Sequence, residues 1–379
     1  MRVLIVDPNF SVSSPSMKGV VGALPAMKAA GIETEIWCWN IDGNTGADYV
    51  ARLPQFLNVH TVGVYVFTLM AMLRHWWEFS VAGKPRPDVI YTVAWYLPSC
   101  DLCHVHFSPW DWERRQRVLG LHSLRDIYDR LTTRISILFA RWFLINTKAK
   151  RLISVSDAVA EDLKDEAPDL EVVVLPNSYD VSRFNMGVRM VHRDVMRGSL
   201  GYSDNDKVFI FASAGHYRRK GFFLAVEAIA RVREELPQAR LLVLGGRERS
   251  LKTLQAQLDK LHPSWREWVS FTGMVNDIER YYAAGDAFLF PSYSEAFALV
   301  EVEAAACGLP LFLTRHHGSE MIMEDGINGR WIDFDAEKMA AVLSEFVSGA
   351  WKPSPSVLKH ALDGEAYAQR LIAEFKAAA

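Results

Sequence analysis

Short runs of apolar, often β-branched residues alternate along this chain with longer stretches whose apolar positions recur at helical spacing. In the first half the strand-like runs are residues 3–7, 34–39, 59–64, 89–95, 102–107, 152–155 and 172–175. In the second half they are 208–213, 241–245, 269–272, 287–290 and 310–314. Brief apolar runs separated by helical patterns predict parallel sheets covered by helices on both faces. Two such series occur, parted by a polar stretch at 182–206 with few long apolar runs. The pattern predicts an α/β protein of two Rossmann-like, doubly wound domains, 1–185 and 186–360. A last helix, about 364–378, follows the link Lys352-Pro353-Ser354-Pro355. As segment 361–379 it is expected to cross back and pack on the first domain. Two open sheets of this type, facing each other, leave a cleft beyond the C-terminal ends of their strands. Functional residues are therefore expected in the loops that follow strands.

Composition narrows the class. The chain has 379 residues, half of them hydrophobic and 23% charged, with a formal net charge of −3. That fits a globular protein and gives no argument for a nucleic-acid partner. The longest uncharged apolar stretch, 61–73, falls short of the roughly 20 residues a spanning helix needs. The chain opens on a short β-branched run, so no export leader is expected. The expected location is the cytoplasm, with peripheral contact at the inner face of the cytoplasmic membrane. Cys100 and Cys103 have CxxC spacing, but no second pair completes a zinc set, and reduced thiols are expected.

Candidate chemistry concentrates in the second half. The stretch 294–310 holds Glu295 and Glu303, separated by seven residues, after the strand-like run Ala287-Phe288-Leu289-Phe290. A helix is expected after Phe297, ending at Gly308 with Pro310 behind it. A helix entered from a strand through a short turn offers free N–H groups to an anion. Upstream, Ala214-Gly215-His216-Tyr217-Arg218-Arg219-Lys220-Gly221 links a strand to a helix beginning near Phe222. Cations are disfavoured at the positive end of a helix dipole, so three in a row point to a bound anion. A diphosphate suits glycines and adjacent cations; the plainer alternative is a solvated basic turn. A carboxylate at Glu303 can accept two hydrogen bonds from vicinal hydroxyls, as on a ribose, and Glu295 can do so for a second polyol. Otherwise both are solvated helix-surface acids, as Glu301 between them is read.

These residues resemble the GT-B glycosyltransferases of the large retaining family 4 (glycosyltransferase group 1). That family includes lipopolysaccharide and capsule glycosyltransferases, sucrose synthase-like enzymes and mannosyltransferases. The marks are Glu295-x7-Glu303, Arg219-Lys220-Gly221, Pro176-Asn177-Ser178-Tyr179-Asp180-x-x-Arg183-Phe184, Phe271-x-Gly273, Pro291-Ser292 and Glu320-x3-Glu324-Asp325-Gly326-x-Asn328-Gly329. They cover the whole second half in family order. The first half matches in layout only. The Arg-Arg-Lys-Gly loop is nearest the lipopolysaccharide-core glucosyltransferase branch.

The resemblance implies a role at each position. Arg219 and Lys220 would hold the donor diphosphate, and Glu303 the ribose hydroxyls. Glu295 would contact hydroxyls of the transferred sugar. Backbone amides at Phe297, Ala298 and Leu299 would meet sugar and phosphate, and Gly273, Met274 and Val275 the base edge. Ala296 and Ala298 stand where the family favours glycine. Of the Gly-Gly pair usual after the first strand, only Gly19 is kept, with Lys18 before it; Gly19 would let the backbone approach acceptor or diphosphate. His104 and His106 share one strand face. The family often has a functional histidine here, and His106, nearer the strand end, is placed with Glu295 at the catalytic centre.

Segment 113–151 carries ten cations against Glu113, Asp126 and Asp129, a local net of +7, with aromatic and aliphatic residues interleaved. Such a surface is attracted to an anionic bilayer; the alternative is a core-facing helix with solvated arginines. The aromatic helix at 65–79, with Trp76 and Trp77, either extends that surface or is core. No Asp-x-Asp lies at a strand end near the motifs: Asp204/Asp206 fall between the domains and Asp333/Asp335 come late. No metal or other cofactor is expected. The expected function is retaining hexosyl transfer from a nucleotide sugar, a UDP-sugar by branch resemblance, to a hydroxyl of a cell-surface glycan or lipid-linked acceptor. The alternatives are GDP-mannose-dependent mannosyl transfer, a nucleotide-sugar 2-epimerase, a non-catalytic partner subunit and a two-domain ligand-binding protein.

Overall fold

The computed structural model describes residues 1–41, 46–55, 60–120, 124–354 and 360–379, without the side chains of His60 and Thr61. The chain divides into two compact units, Met1–Ser178 with Leu362–Ala379, and Tyr179–Ala361.

The first unit is built on seven strands: β1 (Arg2–Val6), β2 (Glu33–Cys38), β3 (Tyr49–Arg52), β4 (Val89–Val93), β5 (Leu102–Val105), β6 (Arg151–Ser154) and β7 (Glu171–Val174). They pair in parallel in the order β3-β2-β1-β4-β5-β6-β7. Central β1 is buried from Val3 to Val6, as a strand covered on both faces must be. Its helices are α1 (Lys18–Ala29), α2 (His60–His75), α3 (Pro109–Leu119), α4 (Leu124–Asn146) and α5 (Asp157–Glu166).

The second unit has six parallel strands: β8 (Lys207–Ala212), β9 (Ala239–Leu244), β10 (Val269–Gly273), β11 (Ala287–Phe290), β12 (Leu311–Leu313) and β13 (Gly329–Trp331). Their order is β10-β9-β8-β11-β12-β13. Helices α6 (Met186–Leu200), α7 (Phe222–Glu235), α8 (Glu248–Leu261), α9 (Ile278–Ala284), α10 (Leu299–Ala306) and α11 (Ala336–Val347) accompany it. The terminal helix α12 (Gly364–Ala378) belongs to the first unit, where Tyr367, Leu371 and Phe375 join the core formed with Val3, Ile5, Val20 and Tyr91. Pro355 of the expected link lies outside the described residues.

Three expectations need correction. Of the strand expected at 59–64, Val59 lies outside the described residues, and 60–64 open helix α2 instead. The apolar run there continues too far for a strand, and helical hydrogen bonding wins over the β-branched bias. Strands β3 and β13 are additions to the expected set; both are short edge strands. Finally, the polar stretch at 182–206 contains α6. Its arginines are spent inside the second unit: Arg193 and Arg197 reach Asp286 at 2.6 and 3.1 Å. The units divide at Ser178/Tyr179, upstream of the expected boundary at 185/186.

Candidate functional site

In the second unit the strand order reverses between β8 and β11, and an open parallel sheet forms its crevice beyond such a switch. The cation loop leaves β8 at this point. It coils tightly: Lys220 N–H donates to the His216 carbonyl at 3.0 Å and Phe222 N–H to that of Tyr217 at 2.9 Å. Gly221 closes the coil with φ of 72°, and a Cβ there would lie 2.1 Å from the Pro291 carbonyl oxygen. Only glycine meets both demands. Next to it, Tyr293 N–H donates to the Arg219 carbonyl at 2.8 Å. The loops after β8 and β11 are thus joined through their backbones.

That junction sets Lys220 beside Glu295, with Nζ 3.6 Å from the carboxylate and both side chains largely buried. The ammonium also lies 4.9 Å from the Phe290 ring centre. Ser292 Oγ donates to Glu295 at 3.0 Å. Burial pushes the Glu295 carboxyl up, but Lys220, Arg219 and His316, with the Ser292 hydrogen bond, outweigh it and hold it below the ordinary value. Glu295 is therefore an anion at neutral pH.

The turn then enters α10. Ala298 is the N-cap at φ −83°, ordinary extended backbone, so alanine carries no strain there. Its N-cap residue, an alanine, brings no capping side chain. Phe297 and Ala298 are buried and Leu299 is partly exposed. Glu303, in the second turn, is 8% exposed and lies beside the Tyr282 hydroxyl, which donates to the Val300 carbonyl at 3.4 Å. Arg183, paired with Glu279 at 2.6 Å, adds positive charge near it. Gly273 ends β10, two strands from β8, and its carbonyl accepts from Gly245 N–H at 2.9 Å. Met274 beside it is 62% exposed and Val275 partly so. The crevice edge thus holds Arg219, Lys220, Glu295 and the start of α10 together, with 273–275 about 10 Å along the sheet.

Sequence reasoning missed Tyr282 and the partner of Glu301. Glu301, read as a solvated acid, is wholly buried, and its Oε1 meets His316 Nε2 at 2.6 Å. The charged sequence neighbourhood hid this, because the partner comes from the loop after β12.

The two Asp-x-Asp pairs have structural tasks. Asp206 accepts from Ser203 and pairs with Arg240, and Asp335 caps α11 through Lys338 N–H. All four cysteines are free and buried.

In the first unit, His106 directly follows β5, partly buried, and burial alone pulls its pKa down to about 3. It is a neutral imidazole, with its ring centre 4.1 Å from that of His104. His104 is fully buried and bonded to the Tyr91 hydroxyl at 2.7 Å. Gly19 lies inside α1, where a Cβ would sit 2.9 Å from the Tyr367 ring. Its missing side chain admits the terminal helix, a packing reason the sequence did not disclose.

Of segment 113–151, residues 121–123 lie outside the described residues. Much of its charge is met by acids: Arg114 pairs with Asp162, Arg117 and Arg134 with Glu113, Arg141 with Glu166 and Arg151 with Glu374. Its apolar residues are the surprise. Along α4, Leu124, Tyr128, Leu131, Ile135, Leu138, Trp142 and Ile145 all face outward at alternating spacings of four and three. Thr133, Ile137, Ala140 and Leu144 form the opposite, buried face. Tyr65 of α2 packs on Phe139 of α4, and Leu69, Trp76 and Trp77 are exposed nearby in sequence. Among the described residues no helix is long and apolar enough to cross a membrane.

Comparison with known proteins matches both halves of the chain. Residues 20–183 match the model of glycosyltransferase family 4, and residues 206–348 that of group 1 glycosyl transferases. An uncharacterised glycosyltransferase of Methanocaldococcus jannaschii is 24% identical over 307 residues, 74% of each chain. The lipopolysaccharide core biosynthesis glycosyltransferase LpsE of Rhizobium meliloti is 36% identical over 142 residues, 37% of this chain and 39% of that one. Among solved structures, HepE of Anabaena in complex with UDP and glucose superposes with a TM-score of 0.67 at 18% identity, covering 100% of both chains. The two Rossmann-like sheets are thus those of the GT-B fold. The chain belongs to the family 4, group 1 glycosyltransferases, and is a glycosyltransferase enzyme.

Proposed function

We propose that this enzyme transfers a hexose from a nucleotide sugar, a UDP-sugar in the first instance, to a hydroxyl of a cell-surface glycan or a lipid-linked acceptor, with retention of configuration. The observation that carries the donor reading is the pairing of Lys220 with the ionised Glu295 at the strand switch, next to a helix start whose N-cap is Ala298. Lys220 and Arg219 offset charge on the departing diphosphate, as preorganised donors do at a developing anion. Glu295 accepts hydrogen bonds from sugar hydroxyls, Glu303 from the ribose, and the Gly273, Met274 and Val275 strip meets the base. His106, neutral at physiological pH, hydrogen-bonds sugar or acceptor without competing for a proton. With two cations and a helix end on the diphosphate, no metal or other cofactor is required. The HepE complex with UDP and the likeness to LpsE support the donor and the glycan setting.

The experiment is a panel of UDP-, GDP- and ADP-sugars, read by thermal stabilisation and by slow hydrolysis. A UDP-sugar is expected to stabilise and to turn over, and Glu303→Ala to reduce both about tenfold or more, as loss of a hydroxyl contact does. GDP-mannose turning over instead would move the donor to the mannosyl alternative. Binding without turnover would favour a ligand-binding role.

We further propose that the α4 stripe rests on an anionic bilayer, where a lipid-linked acceptor would be presented. The stripe supplies buried apolar area, and cations such as Arg125 beside it favour anionic headgroups. Phosphatidylglycerol vesicles are expected to pull the wild type down, and Leu131→Glu with Leu138→Glu to weaken this about tenfold or more. Donor hydrolysis should be untouched. Vesicle binding unaffected by the double change would remove α4 from the reading.

A further inference from the structure

We propose that Glu301 and His316 are positioning residues: as a buried ion pair they hold the Glu295 turn in place and set a positive charge behind it that the donor diphosphate requires. This rests on the donor reading above.

Three ties join the loop after β12 to the turn after β11 and the helix it enters. Thr314 Oγ1 donates to the Ser292 carbonyl at 2.6 Å, and Ser292 in turn donates to Glu295. Gly318, at φ 84°, passes so close that a Cβ would lie 2.9 Å from the Ala296 oxygen and the Phe297 Cα. The third tie is the Glu301–His316 pair, with neither side chain exposed at all. Space filling does not explain it. An ion pair taken fully out of water is often no more stable than two packed apolar side chains. This pair is also incompletely satisfied, since Glu301 Oε2 and His316 Nδ1 have no hydrogen-bond partner.

Charge explains it better. The charged groups that act on the pair are Glu295, Lys220 and the exposed Glu320. As imidazolium, His316 joins Lys220 and Arg219 in opposing the charge of Glu295. A neutral His316 takes that positive charge away from behind the turn that meets the diphosphate. Burial pulls the His316 pKa down, but Glu301, Glu295 and Glu320 outweigh it and raise the value above that of free imidazole. Burial raises the Glu301 carboxyl against the pull of His316. The proton is therefore present at neutral pH and departs as pH rises above the ordinary histidine range. The donor KM should climb on that alkaline side.

The test is the paired replacement Glu301→Leu/His316→Leu, with Glu301→Gln as the variant that keeps an acceptor and removes the charge. Thermal midpoint, donor KM, kcat and the pH profile of KM are measured for each. The paired variant is expected to melt at or above the wild-type midpoint. Its donor KM should rise about tenfold, with kcat within about threefold, and the alkaline climb should vanish. Glu301→Gln should show the same raised, pH-independent KM. Wild-type KM and pH profile in either folded variant overturn the proposal, as does a paired variant that melts far below the wild type, which makes the pair a stability element. If the wild type itself binds no sugar nucleotide, the donor reading falls and this inference with it, a result visible without any variant.

Discussion

Replacing Lys220 with alanine is expected to lower kcat/KM for the sugar nucleotide about 10²–10³-fold, the usual effect of deleting one preorganised donor at a developing anion. The reason is positional. Lys220 is held by the coil that Gly221 closes, by the ring of Phe290 and by Glu295. It meets the departing diphosphate without reorganising. The stability effect should be small by comparison, about 1–3 kcal/mol, because Arg219 and His316 still face Glu295 when its nearest cation is gone. The midpoint should fall by a few degrees and the circular dichroism spectrum should be unchanged. The Glu295 carboxyl should also titrate higher in the variant, since burial is then opposed by fewer charges. A folded Lys220→Ala enzyme within about threefold of wild type would remove the cation loop from the donor site.

What the sequence made legible, and what it hid, follows from where each interaction comes from. Interior strands such as β8, from Val208 on, and β11 are apolar because helices cover both faces, so composition alone reports them. The missed strands β3 and β13 are the two outer edges of their sheets. An edge strand of three or four residues owes its existence to a neighbour on one side, and nothing in Tyr49-Val50-Ala51-Arg52 or Gly329-Arg330-Trp331 need advertise it. The opposite error arose at 60–64, where Val62 and Val64 favour extended backbone locally but sit at the start of a long outer helix.

The site divides in the same way. Arg219, Lys220 and Glu295 stand out as candidates because each lies in the loop that follows a strand whose position the pattern gives, and Glu303 through its spacing from Glu295. The tie between Glu301 and His316 spans 15 residues and exists only because β11 and β12 are neighbours. Gly19 shows the limit from the other side. A glycine in a loop suggests ligand approach, yet the atom that needs the space is on Tyr367, at the far end of the chain. Residue type near a strand end can be read directly; pairing across strands cannot.

That distinction bears on Gly221, where a substitution is expected to damage fold and activity together. Alanine there must adopt φ near 72°, which costs about 1–2 kcal/mol, and its Cβ would overlap the Pro291 carbonyl oxygen at 2.1 Å. The contact is backbone to side chain on a buried strand end, so no flexible group can yield. Relief requires the cation loop to move away from the turn after β11, at a further cost of about 1–3 kcal/mol. Moving it breaks the hydrogen bond from Tyr293 N–H to the Arg219 carbonyl, and Lys220 leaves Glu295. A total of about 2–5 kcal/mol implies a midpoint roughly 10 °C lower for a unit of this size. In the fraction that stays folded, donor turnover should fall at least as far as in Lys220→Ala, because both cations are displaced and Glu295 loses its partner. Gly215 is the stability control: it lies in the same loop, and a Cβ added there would meet nothing within 4 Å, so Gly215→Ala should keep the midpoint. If Gly221→Ala melted like Gly215→Ala and turned over like the wild type, the close approach of the two loops would not be the feature that arms the site.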